Sequence, residues 1–146
     1  MLDKLQPVFR SLNAHDVRYL VIGGIAAALH GVPRATFDLD LLIEPTPDNA
    51  ERLLKALREA GIVTAELTDP DSLLEHEISV FKDILRIDVQ IQTPGIRFED
   101  AWKNKVEVPY EGETILLVSK EDLIRSKKAA GRKVDLEDVA ILENLR

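Results

Sequence analysis

Two aspartates, Asp38 and Asp40, stand one residue apart in the run Thr36-Phe-Asp-Leu-Asp-Leu-Leu-Ile43, and a third, Asp88, stands in Arg86-Ile-Asp-Val-Gln-Ile91. In an extended strand, side chains i and i+2 leave the same face ~6.5–7 Å apart, so Asp38 and Asp40 point together while Leu39, Leu41 and Ile43 fill the other face. Asp88 repeats this arrangement, with Ile87, Val89 and Ile91 as its apolar partners. Three carboxylates on one face of a sheet repel one another, and a hard divalent cation is their natural complement, Mg²⁺ first and Mn²⁺ as its substitute. Two such cations could align an attacking oxygen with a departing pyrophosphate, the division of labour of in-line phosphoryl transfer. A charged edge strand that blocks unwanted pairing would explain Asp38 and Asp40 alone, but it predicts no third carboxylate on a second strand.

The elements around these residues follow from periodicity and punctuation. The apolar run 19–22 reads as a buried strand, ended by Gly23-Gly24 and followed by an alanine-rich helix over 25–30. A glycine pair at a strand-to-helix junction permits close backbone approach and offers free N–H groups to an anion such as phosphate. A turn chosen for conformation alone would account for the pair equally well in isolation. Before the strand, Leu2, Leu5, Val8, Phe9 and Leu12 recur at helical spacing. After the aspartate strand, the pattern predicts a helix from a cap at Asp48 to about Ala60, a weaker strand over 62–65 and a flexible, turn-rich stretch over 67–72. A hairpin of 77–81 and 85–91 places Asp88 on a central strand. A short helix over 98–104, strands at 106–108 and 114–118, a helix from Ser119 to Ala130 and a last helix over about 135–145 complete the chain. The expected fold class is α+β, a small mixed sheet flanked by helices, with a helical C-terminal part over about 119–146.

A length of 146 residues and 45% hydrophobic content suit one domain, 1–146, with a single core. The formal net charge of -7 argues against sequence-independent binding of long nucleic acid through a broad basic face. With no cysteine there is neither a disulfide framework nor a thiolate ligand or nucleophile. The N-terminus lacks a basic stretch followed by an apolar core, and no run approaches a membrane span, so a soluble cytoplasmic protein is expected, with no membrane partner. His15, His30 and His76 share no metal-ligand spacing and read as structural, as does Trp102, which shares a helical face with Phe98 and Ala101.

In this order the residues resemble the nucleotidyltransferase superfamily that includes DNA polymerase beta and the minimal nucleotidyltransferases of bacteria and archaea. The likeness rests on an apolar-Gly-Gly turn at Ile22-Gly23-Gly24, an Asp-x-Asp pair at Asp38-Leu39-Asp40 and a later strand carboxylate at Asp88. A closer likeness, to bacterial stand-alone members related to abortive-infection toxins of the AbiEii type, extends through Gly31-Val-Pro-Arg-Ala-Thr-Phe-Asp-Leu-Asp40, Asp122-Leu-Ile-Arg-Ser-Lys127 and Gly131-Arg-Lys-Val-Asp-Leu-Glu-Asp138. The resemblance implies a nucleotidyltransferase fold that binds Mg²⁺ and a nucleoside triphosphate such as ATP, and passes a nucleotidyl group to an acceptor. That acceptor, whether protein, RNA or small molecule, is not named by the sequence.

By the same resemblance Asp38 and Asp40 are ligands shared by two metals and Asp88 serves the catalytic one. Gly23 and Gly24 cradle the triphosphate and Lys127 reaches its phosphates, while Arg132, Asp135 and Asp138 complete the site or fix the helices. Arg34 and Thr36, just before the aspartate pair, are further candidates to touch the triphosphate, Thr36 sharing the parity of Asp38. A rival of another class is a noncatalytic or weakly catalytic member working in a toxin–antitoxin or regulatory pair with a protein encoded nearby. The complete triad favours the enzyme.

Overall fold

The computed structural model describes residues 2–35 and 38–145, so Thr36 lies outside the described residues. Six strands form one mixed sheet: β1 (Tyr19–Ile22), β2 (Asp38–Ile43), β3 (Ile78–Lys82), β4 (Arg86–Gln90), β5 (Val106–Tyr110) and β6 (Glu113–Leu117), in the order β3-β4-β2-β1-β6-β5. The central strands β1 and β2 are antiparallel, each has a parallel neighbour (β6 and β4), and hairpins add β3 and β5 at the edges. The α+β reading of the sequence is the architecture found.

Helix α1 (Gln6–Ala14), preceded by a 3-10 turn over Leu2–Leu5, packs on α3 (Pro47–Glu59) and against β6. Helix α2 (Gly23–Leu29) follows β1 and lies on β1 and β2. Leu39, Leu41 and Ile43, together with Ile87 and Val89 of β4, are buried with Phe9, Leu12, Leu53, Leu54 and Leu57 in one core. This is what a period-2 apolar face and a helical stripe produce when laid together. Toward the C-terminus, α6 (Lys120–Ala130) and α7 (Lys133–Asn144) pack as a pair, and α6 meets α2. Ser119 caps α6 by accepting from the Asp122 N–H, and Gly131 ends it at φ 68°.

Three local expectations are corrected. The cap of α3 is Thr46, which accepts from Asn49 N–H, with Pro47 in the first turn where a missing N–H costs nothing; Asp48 lies inside that turn. Residues 63–67 form a 3-10 helix rather than a strand: Ile62 and Ala65, three apart, are drawn into the core while Val63 and Leu67 stay exposed, a spacing that a period-2 strand does not give. The turn-rich stretch that follows is ordered as α4 (Pro70–Leu74), capped by Asp69 accepting from Ser72 N–H. Helix α5 (Phe98–Lys103) agrees with expectation: Trp102 stacks on Phe98 at 5.4 Å between centroids and carries the Lys105 ammonium 4.2 Å from its ring. The histidines each bond outside the cleft, His15 to Glu59, His30 to the Val118 carbonyl and His76 to the Ser72 carbonyl.

Candidate active site

Register turns the strand aspartates into an array. Across β2, β4 and β3 the cross-strand partners form three rows on one face: Asp38, Arg86 and Lys82; Asp40, Asp88 and Val80; Leu42, Gln90 and Ile78. The middle row sets Asp40 directly opposite Asp88, which the sequence could only place on the same face. Outward from the carboxylates, Val80 and Ile78 leave about half of their surface open on the edge strand (49% and 52%), so this side of the sheet is uncovered.

The array floors a cleft of about 480 Å³ whose lining includes Gly23, Asp38, Asp40, Asp88, Lys127 and Arg132. Gly23 has φ 72°, and a Cβ there would stand 2.2 Å from a carboxylate oxygen of Asp40. The glycine is therefore dictated by two conditions at once, a left-handed backbone and an aspartate underneath. Gly24 occupies the next position of α2 and does not line the cleft. From the far side the loop after β4 supplies Thr93 and Pro94; its Gly95, at φ 79°, packs so closely on α6 that a Cβ would meet the Arg125 carbonyl at 2.8 Å.

Opposite the floor stands a wall of ion pairs on α6 and α7. The Lys127 ammonium, buried, lies 3.0 Å from Asp138 and 3.6 Å from Asp135. Asp138, buried, also receives a hydrogen bond from Arg34 at 2.6 Å, and Asp135 pairs with Arg132 at 2.7 Å. Burial alone would raise the Asp135 carboxyl, but the hydrogen bond and charge of Arg132, with the charge of Lys127, outweigh it and hold the group below its ordinary value.

The floor has the opposite electrostatics. Burial, then the charge and hydrogen bonding of Asp88 and the charge of Asp38, push the Asp40 carboxyl up to about 7, with Arg86 acting against them. Burial is the largest cause and the neighbouring negative charge adds to it, and carboxylate oxygens are the donors that Mg²⁺ and Mn²⁺ take. In donor chemistry the residues fit such a cation. As the side chains stand, no three His, Asp or Glu groups among the described residues converge enough to hold one, and Asp88 is turned to Arg86, whose Nε donates to it at 2.9 Å.

Of the residues singled out in the sequence, Asp38, Asp40, Asp88, Gly23 and Lys127 come together in the cleft, whereas Arg34 is committed to Asp138 and stands outside its lining. Arg132, which the resemblance gave either to the site or to the fixing of the helices, lines the cleft with its side chain 74% exposed. One residue of this face was not singled out in the sequence. Arg86 is two residues before Asp88, and the same i, i+2 parity that aligned the aspartates places it on their face.

The sequence matches over residues 3–143 the family described as "Nucleotidyltransferase of unknown function (DUF6036)". Nothing among curated proteins matches. Solved structures with the same fold include a Thermotoga maritima protein assigned as a nucleotidyltransferase, at TM-score 0.64 and 17% identity, covering 98% of this chain and 92% of that one. The lincosamide antibiotic adenylyltransferase LnuA, with lincomycin bound, matches at TM-score 0.60 and 16% identity over 100% of this chain and 98% of its own. An antigenic nucleotidyltransferase-like protein from Paracoccidioides brasiliensis matches at TM-score 0.54 and 17% identity, over 96% and 75% of the two chains. At these identities the structures establish the fold, and the sequence family establishes the kinship: the chain belongs to the DUF6036 family of nucleotidyltransferases.

Proposed function

We propose that the chain transfers a nucleotidyl group from a nucleoside triphosphate, ATP being the first to test, to a hydroxyl of an acceptor. In the balanced step the acceptor oxygen bonds to the α-phosphorus, the bond from that phosphorus to the pyrophosphate oxygen breaks, and the hydroxyl proton is released. Asp38, Asp40 and Asp88 would hold Mg²⁺ or Mn²⁺, which when bound supplies Lewis-acid stabilisation to the oxygens that exchange partners. Gly23 keeps the space above Asp40 free of a side chain for phosphate. On the opposite wall Lys127 and Arg132 present cationic groups to the triphosphate. Asp88, nearest the open edge strand, faces the side from which the acceptor hydroxyl enters.

The observation that carries this reading is the register of Asp40 opposite Asp88 on the floor of a cleft whose other wall is cationic. A small molecule is the first acceptor class to test, because the lincosamide adenylyltransferase of the same fold has lincomycin bound. The kinship with abortive-infection toxins belongs to this proposal too, with a two-protein module as its consequence. The test incubates the pure protein with each labelled nucleoside triphosphate, Mg²⁺ or Mn²⁺, and separated small-molecule, RNA and protein fractions of cells. Label should pass to one fraction only with metal and not with Asp38→Asn or Asp40→Asn. Label on a single neighbouring protein would establish the module, and equal transfer by wild type and both variants would remove the site.

A further inference from the structure

Arg86 stands apart from the other cations around the cleft. Lys127, Arg34 and Arg132 each pair with Asp135 or Asp138, carboxylates outside the triad, whereas Arg86 takes Asp88 itself, with Nε 2.9 Å and Nη2 3.5 Å from its two oxygens. Register also puts Arg86 directly beside Asp38. The guanidinium therefore occupies oxygens of Asp88 that a metal would need, and as the side chains stand no three carboxylates among the described residues converge to hold one. The grip is weak: the Arg86 side chain is 43% exposed, and an ion pair open to water is easily exchanged.

We propose that Arg86 is a positioning residue that ties up the oxygens of Asp88 until a phosphate-bearing nucleotide enters the cleft and offers the guanidinium another anion. The inference rests on the nucleotidyltransferase reading above. Local geometry makes the exchange simple, since the head group of a long side chain on an exposed strand face can turn from a carboxylate to a phosphate with no backbone movement. The consequence is a linkage: metal weakens the hold of Arg86 on Asp88, nucleotide draws Arg86 away, and each ligand strengthens the other by the same factor. In the resting protein the arginine serves as an internal counter-ion for the carboxylate row, so the full ligand set is assembled only with substrate present.

The experiment titrates the full chain with Mn²⁺ by electron paramagnetic resonance, with and without a non-hydrolysable ATP analogue, for wild type, Arg86→Ala, Asp88→Asn and the double variant. Arg86→Ala should bind Mn²⁺ about two- to fivefold more tightly without nucleotide, the range an exposed ion pair converts to. That gain should vanish on the Asp88→Asn background and shrink when the analogue is present. Arg86→Lys keeps the charge but not the two-pronged grip, and should also bind Mn²⁺ more tightly than wild type. A long-range charge effect would instead leave Arg86→Lys at the wild-type value and preserve the gain without Asp88, and either result overturns the proposal. Mn²⁺ binding that Asp38→Asn abolishes but Arg86→Ala leaves unchanged overturns this inference alone, whereas binding indifferent to Asp38, Asp40 and Asp88 removes the metal site and the inference with it.

Discussion

The two charged groups that face each other across the cleft are built on opposite principles. On the floor, three carboxylates of β2 and β4 share one exposed guanidinium, and one of them is driven up to about 7 by burial and then by the others. On the wall, two buried carboxylates of α7 are shared among three cations, and Asp135 is held below its ordinary value. Both sets are acidic residues at short spacing, so composition does not separate them. Neutralisation does. Charges compensated within the protein hold α6, α7 and the segment of Arg34 together, while charges left uncompensated store the repulsion that a bound cation would relieve.

The widest gap between the two regions is expected at Asp40. Asp40→Asn should lower transfer by about a thousandfold or more, because a lost metal ligand is felt most in the transition state. The same change should leave the metal-free protein at pH 8 more stable, not less. With a folded value near 7 against an ordinary 3.8, the native state keeps a proton that the unfolded chain has lost between those limits. Stability therefore falls as pH rises from about 4 through 7, by at most a few kcal/mol at ~1.4 kcal/mol per unit. Urea unfolding in a chelator across this range checks both points: wild type should weaken with pH and Asp40→Asn should be flat. A wild type equally stable at pH 5 and 8 would contradict the charge surplus.

On the wall the order reverses. Asp138→Asn leaves Lys127 and Arg34 without their shared counter-charge in a buried setting, where removing one partner costs about 3–5 kcal/mol. The loss should be similar in chelator and in Mg²⁺. A loss that Mg²⁺ changes strongly would mean that the wall, too, is part of the ligand site.

How much of this contrast the sequence carried depends on the range of the interaction. Period 2 exposed the faces of β2 and β4, and the signals at Ser119 and Gly131 bounded α6, because each is encoded within a few residues. The segment 62–74 misled for a related reason: Ile62, Val63 and Thr64 are β-formers, yet local propensity does not decide when the core takes Ile62, Ala65 and Leu73 and leaves Val63 and Leu67 exposed. The pairing of Arg34 with Asp138 spans 104 positions and has no local pattern, so the arginine read as a candidate for phosphate. Arg86 shares the parity of Asp88, so its face is legible in the sequence, but parity does not tell which carboxylate of the two strands it meets.

Gly23 tests the junction between floor and nucleotide at smaller cost. Gly23→Ala places a side chain in left-handed backbone, worth about 1–2 kcal/mol, and sets its Cβ against the Asp40 carboxylate. Stability should fall by that amount, and Mn²⁺ affinity should fall as well because Asp40 must turn aside. Intact Mn²⁺ affinity would show that Asp40 has room to move and that the glycine serves the turn alone.

The smallest effect on the fold, and the one that most sharpens the comparison, is expected at Arg132. Its side chain is 74% exposed, so its pair with Asp135 contributes less than about 1 kcal/mol, and the buried Lys127 remains beside Asp135 when it is removed. Arg132→Ala should therefore unfold at nearly the wild-type urea concentration. Among the described residues it is the wall's one strongly exposed cation in the cleft lining, able to turn toward a triphosphate where Lys127 is held by two carboxylates. Nucleotide affinity should weaken several-fold, with the difference shrinking as salt screens the charge. Should stability collapse while nucleotide affinity holds, Arg132 belongs with the compensated frame, and the cationic face of the cleft reduces to Lys127.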